Sequence, residues 1–198
     1  IELRKTPYSR AFHARITARI FSAGRRGDTM TRHLGVLADS HGNVDAWNAA
    51  CALFGPADGI LHAGDVLAPA DTELAERIND CRVPIVIARG NADGGAEKFL
   101  RTPLLPLASL FWEGRTVLLA HGTDFPTFRD AALRARAALA ISGHTHIATL
   151  VREEETIFLN PGSCSLPLGR DPASVAMVFA HEIRILTLSG DLLHLESW

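Results

Sequence analysis

The sequence predicts an α/β fold in which two mixed β-sheets pack as a sandwich with flanking helices. Three observations carry this. From Met30 onward, apolar runs of strand length alternate with helical patterns, the signature of an α/β chain. The first half reads as strand, helix, strand, helix, strand, which calls for parallel pairing. The second half turns to hairpins, so antiparallel pairing enters and a purely parallel, doubly wound sheet is disfavoured.

Residues 34–38 form the first strand, after which Val44, Trp47, Cys51 and Phe54 fall at helical spacing on one face. Residues 59–62 are a short second strand, followed by a helix opening near Pro69 with Leu74, Ala75 and Ile78 inward. Residues 84–88 make a third strand, closed by Arg89, Gly90 and Asn91. Segments 109–112 and 116–120 flank Glu113-Gly114-Arg115 and read as a hairpin. A helix rich in Ala and Arg spans 125–139, and 140–142 is another buried strand ending at Gly143. Two late hairpins turn around residues 153–155 and 180–182.

With 198 residues, 47% apolar and 21% charged, the chain suits one globular domain, expected over residues 30–198. Residues 1–29 show no clean periodicity and carry seven of the 20 Lys/Arg but two of the 22 Asp/Glu, leaving 13 bases against 20 acids in the body. This N-terminal basic extension is expected to be disordered or to reflect a start assigned too far upstream; a transit peptide or basic tether is the other account. The acidic body lacks the clustered Lys/Arg that displace phosphate counterions, so no long nucleic acid is expected as a partner. No run approaches the ~18 apolar residues that span a bilayer, so no membrane partner is expected either. Cys51, Cys81 and Cys164 are odd in number and far apart, which argues against a disulfide framework or a Cys-x-x-Cys zinc site and fits a reducing cytoplasm. A homodimer or homotetramer is expected from the frequency of symmetric association.

Five polar clusters each follow an apolar strand: Asp39-Ser40-His41, Gly64-Asp65, Gly90-Asn91-Ala92-Asp93, His121-Gly122 and Gly143-His144-Thr145-His146. The carboxyl ends of strands in α/β sheets converge on a crevice, so the clusters are delivered to one place. Together they offer carboxylate, imidazole and amide ligands with no thiolate, a set suited to Mn²⁺, Fe, Zn²⁺, Co²⁺ or Ni²⁺. Each cluster alone is common, since a Gly-Asn is usually a turn and a lone His usually structural. The ordered set is what is specific.

That ordered set, with Asn160-Pro161-Gly162-Ser163 after it, resembles the calcineurin-like metallophosphoesterase superfamily, and the short length resembles its YfcE-type small phosphodiesterases. The resemblance covers residues 34–165 and implies a four-layer αββα fold. It implies two divalent transition-metal ions, Mn²⁺ first, with Asp39, His41 and His146 holding one, Asn91, His121 and His144 the other, and Asp65 bridging. Catalytic roles fall on Asn91, Asp65, His121 and Asp93. Hydroxide bridging the two metals would attack phosphorus in line, with the metals and Asn91 neutralising charge on the phosphoryl oxygens. The implied activity is metal-dependent phosphoric ester hydrolysis, most specifically of small phosphodiesters. The alternative is a non-catalytic metal-binding scaffold resembling the retromer small subunit.

One departure bears on substrate. Many relatives carry Gly-Asn-His-Asp/Glu, whose His protonates the leaving oxygen; Ala92 stands there instead, so esters with good leaving groups are expected. Asp93 is expected either to orient His121 or to cap the following helix. His62 is expected to support the site from beneath, His13, His33, His181 and His194 to take surface or strand roles, and Arg170 to lie too far along a lengthened loop to meet phosphate. Trp47, Trp112, Phe125 and Phe128 are read as core or rim aromatics.

Overall fold

The computed structural model describes residues 32–67 and 72–198. The basic segment 1–29 lies outside the described residues, as does Pro69, near which the second helix is expected to open; the helix itself is described over Glu73–Asp80, with Leu74, Ala75 and Ile78 buried.

A seven-stranded sheet contains β1 (His33–Leu37), β2 (Gly59–His62), β3 (Ile85–Ala88), β4 (Leu104–Leu105), and, from the end of the chain, β10 (Ser174–Phe179), β11 (Glu182–Thr187) and β12 (Leu192–Ser197), in the order β12-β11-β10-β1-β2-β3-β4. The β1–β4 half is parallel and the β10–β12 half antiparallel. A five-stranded sheet orders β5 (Ala108–Trp112), β6 (Arg115–Leu119), β7 (Leu139–Ile141), β9 (Thr156–Pro161) and β8 (Ala148–Glu153) as β5-β6-β7-β9-β8. Only the central β6, β7 and β9 run parallel to one another there. Both sheets are mixed, as the shift from crossovers to hairpins predicts.

Val36, Leu61 and Val86 of the first sheet meet Leu119, Ile141 and Ile157 of the second in one buried cluster. The outer face of the first sheet packs Leu37, Ile60 and Ile87 against Trp47 and Phe54 of α1 (Val44–Phe54) and Leu74 and Ile78 of α2 (Glu73–Asp80). On the outer face of the second, Leu118, Ala140 and Phe158 pack on Phe128 and Ala132 of α3 (Phe125–Arg134). The result is four layers, helix, sheet, sheet and helix, with the outer faces buried where the helices pack and open at edge strands such as β5, β8 and β12.

Several local readings shift. The inner stripe of α1 is Ala46, Trp47, Ala50 and Phe54, while Val44 and Cys51 sit at its margin. Asn43 caps this helix, its side-chain oxygen accepting the Ala46 amide at 2.9 Å. Helix α3 stops at Arg134 rather than running to Leu139. Arg136 turns left-handed at φ 49°, and the Ala138 amide donates to Thr116 at 2.9 Å; sheet pairing captures the chain before helix propensity is exhausted. Strands β4 and β12 lack a clear alternation and are not foreseen. Phe128, Trp47 and Trp112 are core, and Phe125 is a rim residue, 39% exposed.

Candidate metal centre

Each cluster leaves the carboxyl end of a strand: Asp39 and His41 follow β1, Asp65 follows β2, Asn91 and Asp93 follow β3, His121 follows β6, and His144 and His146 follow β7. The site therefore straddles both sheets. Asp39, His41, Asp65, His144 and His146 have φ of 53°, 45°, 54°, 70° and 58°, so five of the eight described left-handed non-glycine residues are candidate ligands. Asp and His tolerate this region better than most types, yet each still stores strain of about 1–3 kcal/mol. The side chains are aimed by backbone.

Asp39, His41 and His146 offer ligand atoms within 4.8 Å of one another, and so do Asp39, Asp65 and His121. His146 Nε2 lies 3.3 Å from His41 Nε2 and 3.6 Å from Asp39 Oδ1. Asp65 Oδ2 lies 3.4 Å from His121 Nε2 and 3.9 Å from His41 Nε2, between the two groups. Asn91 Oδ1 is 3.0 Å from His121 Nε2. His144 is in neither close group; its ring stands edge-on to that of His121, centroids 5.1 Å apart. Its amide instead donates to both oxygens of Asp39, at 3.2 and 3.0 Å.

The donor chemistry fits a divalent cation. His121 Nδ1 donates to the Ala63 carbonyl at 2.7 Å and His146 Nδ1 to the Leu166 carbonyl at 2.6 Å, so in the neutral rings the Nε2 lone pairs face inward. They meet the oxygens of Asp39, Asp65 and Asn91. Among the described residues no Lys or Arg pairs with Asp39 or Asp65, although both are buried. Acceptors crowded together out of water require a cation.

Burial and neighbouring charges shift the protonation of these groups in the absence of metal. Burial pushes Asp39 up to about 6, against the pull of His121 and His146. Burial also holds His41 and His144 below the ordinary imidazole value. Burial works against a charge on His121 too, but its hydrogen bonds to Asp65 and the Ala63 carbonyl lift it above the ordinary value. Asp65 is held below the ordinary carboxylate range, its burial outweighed by the hydrogen bonds from His121 and the Ala92 amide.

Asp93 neither orients His121 nor caps a helix with its side chain. Its Oδ2 accepts the amides of Asp65 at 3.0 Å and Gly90 at 2.7 Å, and its Oδ1 accepts that of Val66 at 2.7 Å. The position facing His121 Nδ1 is taken by the Ala63 carbonyl, so Asp93 acts on Asp65. Gly90 makes that contact possible: a Cβ there would lie 2.0 Å from Asp65 Oδ1. His62 is fully buried, accepts the Gly64 amide at 3.2 Å and lies 2.9 Å from Ser40 Oγ, which donates to the Val66 carbonyl at 2.9 Å. Burial pushes His62 down to about 3, so it is a neutral support.

Sequence reasoning misses Ser165 and Thr123, and it names Asn160 and Ser163 without their role of holding ligand loops through backbone. Ser163 and Ser165 hydroxyls both donate to the Asp39 carbonyl, at 2.7 and 2.9 Å, and Asn160 donates to the Gly143 carbonyl at 2.8 Å. Thr123 Oγ1 donates to Asn91 Oδ1 at 3.3 Å. The Asn160-Pro161-Gly162-Ser163 segment is the sequence signal for part of this set.

Fold and site together define a metallophosphoesterase, and the chain belongs to the calcineurin-like phosphoesterase superfamily, whose domain it matches over residues 33–182. It is 30% identical over 168 residues to Phosphodiesterase YfcE of Escherichia coli (strain K12), covering 77% of this chain and 90% of that protein. The solved structure of Yfce, a phosphoesterase from E. coli, superposes with a TM-score of 0.73 and 25% identity over 83% of this chain and 98% of that one. Vacuolar Protein Sorting 29 from Cryptosporidium parvum shares the fold, with a TM-score of 0.64 and 15% identity over 85% of this chain and 98% of that one. Among the described residues no helix is long and apolar enough to cross a membrane.

Proposed function

We propose that the protein is a metal-dependent phosphodiesterase acting on small phosphate esters with two divalent ions, Mn²⁺ foremost. Asp39, His41 and His146 hold one ion, Asn91, His121 and His144 the other, and Asp65 lies between them. The observation that carries this reading is the convergence of Asp65 Oδ2 and Asn91 Oδ1 within 3.4 Å of His121 Nε2, with no Lys or Arg among the described residues paired to Asp65. When bound, the metals supply positive charge for the phosphoryl oxygens and make water acidic enough to attack near neutral pH.

The chain's own residues do the rest. Asn91, exposed at the mouth of the site, is placed to offer its amide to a phosphoryl oxygen. Asp93 fixes the loop that aims Asp65. Ala92 supplies no proton to the leaving oxygen, so substrates with acidic leaving groups are favoured. The acidic body argues for small esters over nucleic acid. Three free thiols fit a reducing compartment. The alternative, a non-catalytic metal-binding scaffold, would keep the same ligands without turnover.

Hydrolysis of bis(p-nitrophenyl) phosphate by chelator-stripped protein, with and without Mn²⁺, Ni²⁺, Co²⁺ or Zn²⁺, tests the reading. Metal-dependent turnover is expected; its absence with every ion overturns the enzyme. Asp65→Asn should lose bound metal and activity together, and stoichiometric metal in that variant would overturn the bridging role.

A further inference from the structure

Beside His146 stand Ile147, Leu166 and Leu168, 42%, 52% and 73% exposed, and Leu168 is the most exposed large apolar residue among those described. They are held in place. The Leu166 carbonyl accepts from His146 Nδ1 at 2.6 Å, and the Leu168 amide donates to the His146 carbonyl at 3.2 Å. The Leu166 amide is anchored on Ser163 Oγ at 2.8 Å, and Ser165 Oγ on the Asp39 carbonyl at 2.9 Å. Gly169 backs onto Ile147, whose Cγ2 would lie 3.2 Å from a Cβ at that glycine. Three residues with exposed apolar side chains thus lie within one residue or one hydrogen bond of His146. The first charge after them is the exposed Arg170.

We infer that Ile147, Leu166 and Leu168 seat the apolar organic group retained on phosphorus, so that the site selects phosphodiesters bearing an aryl or alkyl group over those with a small one. This rests on the phosphodiesterase reading. Exposed apolar surface gains free energy only when apolar matter covers it, and here the surface is continuous with the loop that carries His146. A diester anchored at the metals by its phosphate has a second organic group to place, and the lip offers it dry contact.

The test compares kcat/KM of the metal-reconstituted protein on bis(p-nitrophenyl) phosphate and on methyl p-nitrophenyl phosphate, which share a leaving group and differ in the group retained. Leu168→Ser should lower the ratio of the two constants about tenfold, the low end of the scale on which a hydrophobic pocket distinguishes small apolar groups. Leu168→Met should keep the ratio, and so should Leu195→Ser, which changes a 54% exposed leucine on β12. Calorimetry should show phenylphosphonate losing affinity relative to methylphosphonate in Leu168→Ser. An unchanged ratio in an active enzyme overturns the seat and leaves the phosphodiesterase standing; no turnover of either ester by the unmodified protein overturns both. An unchanged ratio together with dissociation of an oligomer in sedimentation would overturn the seat and assign the lip to association between copies instead.

Discussion

The carboxylate of Asp93 accepts the backbone amide of Asp65 at 3.0 Å, so one buried acid aims another. With the Val66 and Gly90 amides it satisfies three donors. In Asp93→Asn one oxygen becomes an NH₂ that cannot accept, leaving at least one amide unpaired at a cost of about 1–3 kcal/mol. Denaturant unfolding should report that loss, and Mn²⁺ affinity should fall about tenfold or more. Unchanged stability and affinity would remove Asp93 from the site.

Gly90→Ala would bring a Cβ to 2.0 Å from Asp65 Oδ1 and 2.2 Å from its amide nitrogen. The loops after β2 and β3 must then separate, costing about 1–3 kcal/mol. Circular dichroism should show the fold retained while metal analysis shows binding weakened. Full metal occupancy at micromolar Mn²⁺ would show that the loops yield freely.

His62 supplies the pH dependence. Its folded pKa, pushed down to about 3 by burial, lies below the ordinary value, so the unfolded chain binds the proton more readily between about pH 6.5 and 3. Stability from His62 is complete above pH 6.5 and is lost as pH falls toward 3, on the order of a few kcal/mol in all. Unfolding free energies of the chelator-stripped protein from pH 7 to 4 should fall less steeply in His62→Gln. Parallel curves would assign the acid limb to other groups.

Ala92 is exposed beside Asn91. Ala92→His should make kcat/KM less sensitive to the leaving-group pKa across a series of aryl methyl phosphates, with a gain of about tenfold or more on the poorest leaving group. An unaltered slope would mean that leaving-group protonation does not limit the reaction.

The site clusters are legible in the sequence because the type of side chain is the signal: Asp39, His41, Asp65, His121 and His146 carry ligand chemistry and follow apolar runs. The carbonyls of Ala63 and Leu166 that fix two imidazole tautomers leave no trace in side-chain identity. Asp93 is visible as an acid, but its partner is not, because backbone amides look alike in any sequence. The two-sheet fold is legible from alternation and hairpins. The end of α3 is not, since Ala135 to Ala138 favour helix and only pairing of Ala138 with Thr116 draws the chain away.

The left-handed backbones at five candidate ligands bias the evolutionary fate of the fold. A lineage released from the need to hold metal gains stability by replacing His41 or His146 with glycine, which relieves strain of about 1–3 kcal/mol at each position less about 0.4–1 kcal/mol for the added freedom of the unfolded chain. Loss of the candidate ligands therefore runs downhill in stability, and their joint presence in this chain is a state that neutral change would erode.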